Sequence, residues 1–352
     1  MDIKKEIKEI YGLEGELIPF GNGHINDTYK CGDYVVQKIN ENVFKDPERL
    51  MENVITVTDH IKKAVIKEGK DPEKYTLSIV PTLDQKPYCR LSDGSFFRVT
   101  KYIANTVSYD EVNPTLLYKA AYGFGKFQNM LSDLNGRSLH ETIKDFHNTP
   151  ARYEALLRAV KADVCGRVSK VAPELEYLAS VKDEYSVITA ALESGALPTR
   201  VTHNDTKINN VLFDKDSGEF VAVVDLDTVM PGSLLYDYGD AVRFAVNAAA
   251  EDEPDLSKVG ILYDNFKAFT KGFLDAMGSG ITPLEKELLV FSARLLTLEL
   301  VIRFLTDYIE GDVYFKISRE NHNLDRARCQ LRFAQLIGEN KEKLNDIVYG
   351  KK

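Results

Sequence analysis

His203-Asn204-Asp205, followed after four residues by Asn210, has the spacing H-x-D-x-x-x-x-N, and Asp225 opens an Asp-Leu-Asp fifteen residues further on. Asp205 is the group in this set able to accept a proton from a hydroxyl. An amide oxygen from Asn210 and a carboxylate from Asp225 are hard ligands of the kind Mg²⁺ takes, with water and nucleotide phosphates completing its shell. Base, amide ligand and acidic ligand in this order are the parts needed for phosphoryl transfer. His203 is expected to pack in such a loop and not to react. Lys207, two residues after Asp205, is either set against the transferring phosphate or a solvated surface lysine.

These side chains must be brought together by the segment between them. Val211–Phe213 and Phe220–Val224 are β-prone runs joined by a turn around Asp214–Gly218, which predicts an antiparallel hairpin. Residues equidistant from a turn face each other. With the turn centred on Ser217-Gly218, Asn210 and Asp225 are expected opposite one another at the open end, beside Asp205. Asp214 and Asp216 are expected to be turn residues only.

The rest of the chain reads as α+β with two lobes, residues 1–102 and 103–352. The first is expected to be a small antiparallel sheet with one helix, the second larger and mainly helical, a bilobal protein-kinase-like plan. Strand signals fall at Leu17–Phe20, Thr28–Cys31, Tyr34–Ile39, Leu77–Val80, Tyr88–Leu91 and Phe96–Ile103. A helix is predicted over Asp46–Lys67, where Leu50, Val54, Val57, Ile61 and Val65 recur every three or four residues. Helical stretches follow at Pro114–Leu134, Pro173–Leu192, Asp255–Met277, Pro283–Tyr308 and Leu324–Asn340.

A nucleotide would lie at the junction of the lobes. Gly21 and Gly23, in Phe20-Gly21-Asn22-Gly23-His24-Ile25-Asn26, allow close backbone approach to phosphates. A phosphate-binding lysine is expected on Tyr34–Lys38: position 37 holds Gln, and Lys38 serves only if the register shifts by one. Tyr102 and Ile103, at the strand-to-helix crossover, can offer backbone groups to adenine.

Composition narrows the class. The 352 residues are 44% hydrophobic and 28% charged, which is ordinary for a soluble enzyme, and the net charge of −9 argues against nucleic acid or an anionic membrane as the main partner. Four dispersed cysteines form no C-x-x-C, so reduced thiols and a cytoplasmic location are expected. The amphipathic start MDIKKEIKEIYG does not read as a signal peptide, and no apolar run approaches the ~20 residues of a membrane span.

Longer segments carry a resemblance. GNGHINDTY, VTKYIANTVSY, FHNTPARY, RVTHNDTKINN, DLDTVMPG, YDYGDAVRF and RFLTDYIEGDVYF resemble the aminoglycoside-phosphotransferase-like small-molecule kinases, most nearly the N-acetylhexosamine 1-kinases, almost end to end. The resemblance implies a bilobal fold and transfer of the ATP γ-phosphate to the anomeric hydroxyl of GlcNAc or GalNAc. By position it makes Asp205 the base and Asn210 and Asp225 the Mg²⁺ ligands. It favours Arg303 and Tyr314 as sugar contacts, against an i,i+4 pairing of Arg303 with Glu299 or Asp307. His24 and Asn26 would reach the acetamido or phosphate side, or stabilise their turn. Asp237 and Asp240 are expected to brace the catalytic loop. Gln37 departs from the general kinase pattern. The same fold with another acceptor (aminoglycoside, homoserine, choline or methylthioribose) and a non-catalytic nucleotide-binding protein remain the alternatives.

Overall fold

Short β-prone runs broken by glycine and aspartate give the first hundred residues an antiparallel sheet. In the computed structural model, which describes residues 3–21, 25–110 and 112–351, its strands are β1 (Ile18–Pro19), β2 (Asp27–Cys31), β3 (Tyr34–Lys38), β4 (Ile79–Val80), β5 (Cys89–Arg90) and β6 (Phe96–Lys101). Their order is β1-β2-β3-β6-β4, with β5 also paired to β6 and every pairing antiparallel. Gln37 on β3 stands opposite Arg98 on β6.

Alternation along β3 decides which face each side chain takes. Val36 is buried against Ile7 and Tyr11 of α1 (Ile3–Tyr11), with Leu17, Phe97 and Val99. Gln37 and Arg98 therefore point the other way, toward α2 (Pro47–Lys67). That helix starts at the Asp46 cap, whose carboxylate accepts the Arg49 N–H at 3.1 Å, and buries the predicted stripe from Leu50 to Val65. The stripe and Phe96 merge with the core of the C-terminal region. Besides α2 the region carries α1 and the short α3 (Pro72–Tyr75), so the sheet is flanked by more than the one helix expected.

The C-terminal region contains α4 (Pro114–Met130), α5 (Thr149–Ala162), α6 (Ala172–Ser180), α7 (Val187–Glu193), α8 (Leu234–Val246), α9 (Tyr263–Met277), α10 (Pro283–Glu287), α11 (Leu289–Glu310), α12 (His322–Glu339) and α13 (Lys341–Val348). Strands β7 (Thr106–Val107), β9 (Val211–Asp214) and β10 (Phe220–Val223) form one small sheet, and β8 (Arg200–Thr202) pairs with β11 (Met230–Gly232). Apolar on nearly all sides, α11 is the hub and packs against α5, α8 and α12. At its crossing with α8 a Cβ on Gly239 would sit 2.6 Å from the Ser292 carbonyl oxygen, so this closeness requires glycine.

Several predicted elements differ in detail. The helix expected over Pro173–Leu192 is divided into α6 and α7 where Tyr185 turns inward and its hydroxyl donates to Leu178 O at 2.8 Å. The one expected from Asp255 starts at Tyr263, because Asp255 instead caps a short turn at Ser257. Pro283–Tyr308 is broken at Leu288. Helices α5 and α8 were not expected. Among the described residues no helix is long and apolar enough to cross a membrane.

Candidate active site

The catalytic loop is held from beneath by a buried carboxylate. Asp237 on α8 accepts the His203 N–H at 2.9 Å, the Asn204 N–H at 2.8 Å and Gln128 Nε2 at 2.6 Å. Burial pushes this carboxyl above its ordinary range, while His203 and these N–H groups work the other way. Asp237 thus braces the loop. Asp240 does something different: it pairs with Arg243 at 3.0 Å. Burial would raise its carboxyl, but Arg243, then His147 and Lys207, hold it below the ordinary range.

Above Asp237 the loop is stitched to the segment that follows Asp225. Thr228 Oγ1 donates to His203 O at 2.6 Å, Asn204 Nδ2 to Thr228 O at 2.8 Å, and Thr202 faces Met230 across β8 and β11. Asn204 takes a left-handed backbone, φ 64°, which asparagine tolerates. His203 packs edge-on between Phe124 and Phe127, and its Nε2 is 2.9 Å from Val224 O. It is a structural residue.

Asp205 is fixed on both oxygens: Lys207 Nζ lies 2.8 Å from Oδ1, and Asn210 Nδ2 lies 3.2 Å from Oδ2 and 2.8 Å from Asp205 O. Since the Asn210 amide nitrogen faces Asp205, its amide oxygen is free to take a cation. Burial works against the Lys207 ammonium, yet Asp205, Asp240 and Asp225 raise it above its ordinary value.

The hairpin forms with a different register from the one expected. Asp214 N bonds Glu219 O at 2.9 Å, centring the turn one residue earlier, and the pairing shifts again between Phe220 and Ala222. Val224, not Asp225, consequently bonds to Asn210, at 2.9 Å. Asp225 follows as a left-handed residue, φ 59°, that ends the strand and redirects its carboxylate. It opens onto the cleft. Surrounding protein, then Asp227 and Asp205, push its carboxyl up to about 6. Asp214 and Asp216 lie in the turn, where Asp214 Oδ1 accepts the Ser217 N–H at 3.0 Å.

A carboxyl raised by two neighbouring carboxylates suits a divalent cation. Among the described residues no three or more His, Cys, Asp or Glu side chains are arranged around one metal position. Mg²⁺ commonly takes one or two protein ligands with nucleotide phosphates and water supplying the rest, so the pair Asn210 and Asp225 fits that mode.

Facing this from the sheet side is a network absent from the sequence-based expectations. Arg98 Nη2 lies 2.5 Å from Asp227 Oδ1, both side chains 3% exposed, and Arg98 Nε and Nη2 donate to Gln37 Oε1 at 3.0 and 2.9 Å. Gln37 in turn donates to Thr28 at 3.3 Å. Asn26 Nδ2 donates to Asp227 Oδ2 at 2.5 Å, and Asn26 Oδ1 accepts the Asn40 N–H at 2.9 Å. Asn26 therefore bridges to the Asp-Leu-Asp turn. Lys38 shares the face of β3 with Val36, away from this network. The register shift that Lys38 required is not present, and the cleft-facing position belongs to Gln37.

Gly21 has φ 79° and leads into the loop, whose Gly23 and His24 lie outside the described residues. The Tyr102 N–H donates to Asp33 O at 2.8 Å, and Ile103 O accepts from Thr106 Oγ1 at 2.7 Å. Ile103 packs with Val221 and Ala222 of β10.

At the other end, Arg303 pairs with neither Glu299 nor Asp307. Buried Glu299 accepts from His147 Nδ1 at 2.9 Å and Thr149 Oγ1 at 2.7 Å, while Asp307 accepts the backbone N–H groups of Val313, Tyr314 and Phe315. Arg303 is left over the Phe315 ring, 5.4 Å from its centre, and makes no hydrogen bond or ion pair with a described residue. Tyr314 is 73% exposed, with its ring against Phe315. Arg152 on α5 was not anticipated. Burial, then Arg303, depress its guanidinium, and its buried Nε has no partner.

Residues 16–259 match the phosphotransferase enzyme family, APH. The chain belongs to that family. Its fold is also that of an aminoglycoside phosphotransferase from Alicyclobacillus acidocaldarius (13% identity, 98% of this chain and 96% of that one, TM-score 0.62). A microcompartment-associated aminopropanol kinase (13%, 97% and 97%, 0.64) and a choline/ethanolamine kinase family protein from Mesorhizobium loti (16%, 96% and 93%, 0.52) share it as well. This phosphotransferase therefore has the small-molecule kinase fold.

Proposed function

We propose that the protein transfers the γ-phosphate of ATP to the anomeric hydroxyl of an N-acetylhexosamine, GlcNAc or GalNAc, giving the sugar 1-phosphate. Asp205, held by Asn210 and Lys207, orients and deprotonates the acceptor hydroxyl. Mg²⁺ on Asn210 and Asp225 would neutralise charge on the β- and γ-phosphates. Lys207 adds a cation beside the transferred group. Gly21 and Gly23 cover the phosphates, and adenine docks on the backbone of Tyr102 and Ile103. With Lys38 facing away, no lysine of β3 shares in this. Most of the acceleration comes from positioning and charge stabilisation. Residues 1–102 and 103–352 serve as the two lobes about this site.

The observation that carries the acceptor assignment is Arg303 over the Phe315 ring, a guanidinium that makes no ion pair with a described residue, with the exposed Tyr314 ring against the same Phe315. Arg152 adds a second guanidinium, which makes no ion pair with a described residue and whose buried Nε has no hydrogen-bond partner. Such a pair suits the hydroxyl and carbonyl oxygens of a sugar and opposes a cationic acceptor. Asn26, whose amide is taken up by Asp227 and the Asn40 N–H, supports the turn and is not an acceptor contact. Four free cysteines accord with a cytoplasmic setting.

The assay is ADP release from MgATP over a panel containing N-acetylhexosamines, free hexosamines, aminoglycosides and amino alcohols. Turnover with GlcNAc or GalNAc, and not with the cations, is expected. Turnover confined to an amino alcohol or aminoglycoside would reject the acceptor and keep the phosphotransferase.

A further inference from the structure

Asp227 is the second acid of Asp-Leu-Asp, yet both its oxygens face the N-terminal sheet region. Oδ1 forms an ion pair with Arg98 that lacks hydrogen-bond geometry, and Oδ2 accepts from Asn26, from the end of the glycine-loop segment, each at 2.5 Å. Asp227 lies in the one-turn 3-10 segment Leu226–Thr228 that begins at left-handed Asp225. The backbone that aims Asp225 into the cleft is thus anchored on side chains of β6 and the glycine-loop segment. Asn53 of α2 adds a third tie, donating to Val229 O at 2.9 Å.

The cation of this network sits one strand away from the position a kinase lysine would take. Gln37 occupies that position and uses its carbonyl oxygen to hold the guanidinium of its cross-strand neighbour. Arg98 is 3% exposed, so it cannot reach a phosphate as the network stands, and its role is positioning. A guanidinium suits this because its planar fork sets Nε and Nη2 on Gln37 Oε1 while Nη2 also faces Asp227.

We propose that Arg98, through Asp227 and together with Asn26, couples the N-terminal sheet to the placement of Asp225, so that the Mg²⁺-dependent part of nucleotide binding depends on it. This rests on Asp225 being a metal ligand.

The test is ADP binding by calorimetry with and without Mg²⁺, in the unmodified protein and in Arg98→Met, Arg98→Lys and Asn26→Ala. The unmodified protein should bind ADP more tightly with Mg²⁺. Arg98→Met should lose that Mg²⁺-dependent gain, about tenfold or more, while Mg²⁺-free affinity changes little. Arg98→Lys should restore part of it. In steady state the KM for MgATP should rise and the KM for acceptor stay within about twofold. Asn26→Ala removes one tie without leaving a buried charge, so it reports the same direction if Arg98→Met fails to fold. An unchanged Mg²⁺-dependent gain in Arg98→Met, or in Asn26→Ala should that variant alone fold, would overturn the coupling. Equal loss of affinity with and without Mg²⁺ would overturn it too, by making Arg98 merely structural. If the unmodified protein binds ADP independently of Mg²⁺, the assignment of Asp225 to the metal fails first, and the coupling with it.

Discussion

Around the catalytic loop Asp237 alone accepts three N–H groups, and Asn204, Thr228 and Thr202 stitch the loop to the strand beyond Asp225. Around Arg303 the carboxylates one turn away on either side are hydrogen-bonded elsewhere, and among the described residues the guanidinium makes no hydrogen bond or ion pair and lies over the Phe315 ring. The first region is over-determined. A change to any member leaves a buried polar group without a partner, so the geometry of phosphoryl transfer is rigid. The second leaves side chains free for a ligand, and a substitution there has little structural cost.

The contrast can be broken most sharply at Asp205. Replacing it with Asn should lower kcat by about 10²- to 10⁴-fold with the thermal midpoint nearly unchanged. Retained turnover would remove the base from the account. Next is Asp237→Ala, which orphans the two loop N–H groups and Gln128. It should cost about 2 kcal/mol or more of stability, read by denaturant unfolding, and reduce kcat through loop disorder. A stable, fully active Asp237→Ala protein would show that the loop is not over-determined.

Arg303→Ala probes the other region and should behave in the opposite way. It should raise the acceptor KM by about tenfold, leaving the KM for ATP and the melting temperature where they were. A fall in stability instead would mean that Arg303 is a packing residue. The smallest effect concerns pH. Asp225 is pushed up to about 6, above an unfolded carboxyl near 4, so folding disfavours its ionised form. The stability it contributes is fully present below the unfolded value and is lost as pH rises through about 6. In the metal-free protein Asp225→Asn should therefore flatten the decline of the thermal midpoint between about pH 4 and 6. An identical pH slope in both proteins would contradict the raised value.

Legibility in the sequence followed the range of the interactions. The hairpin was visible because its strands and turn are local, and the α2 stripe because periodicity is local. The hairpin's register was not, since Asp214 centred the turn and the irregularity beyond Phe220 moved Asn210 opposite Val224. The Arg98 network joins Asn26, Gln37, Arg98 and Asp227 across the chain, and an arginine on a strand gives no local sign of being buried. Helix α8 was not expected, since Tyr236-Asp237-Tyr238-Gly239-Asp240 carries no apolar periodicity, although Asp237 and Gly239 are there for the loop and for α11.

The most direct measurement is a phosphorus–proton correlation NMR spectrum of the product from GlcNAc and MgATP. The account predicts a phosphate coupled to the anomeric proton, formed in step with ADP and lost in Asp205→Asn. A phosphate coupled to the C6 protons, or inorganic phosphate alone, would contradict it.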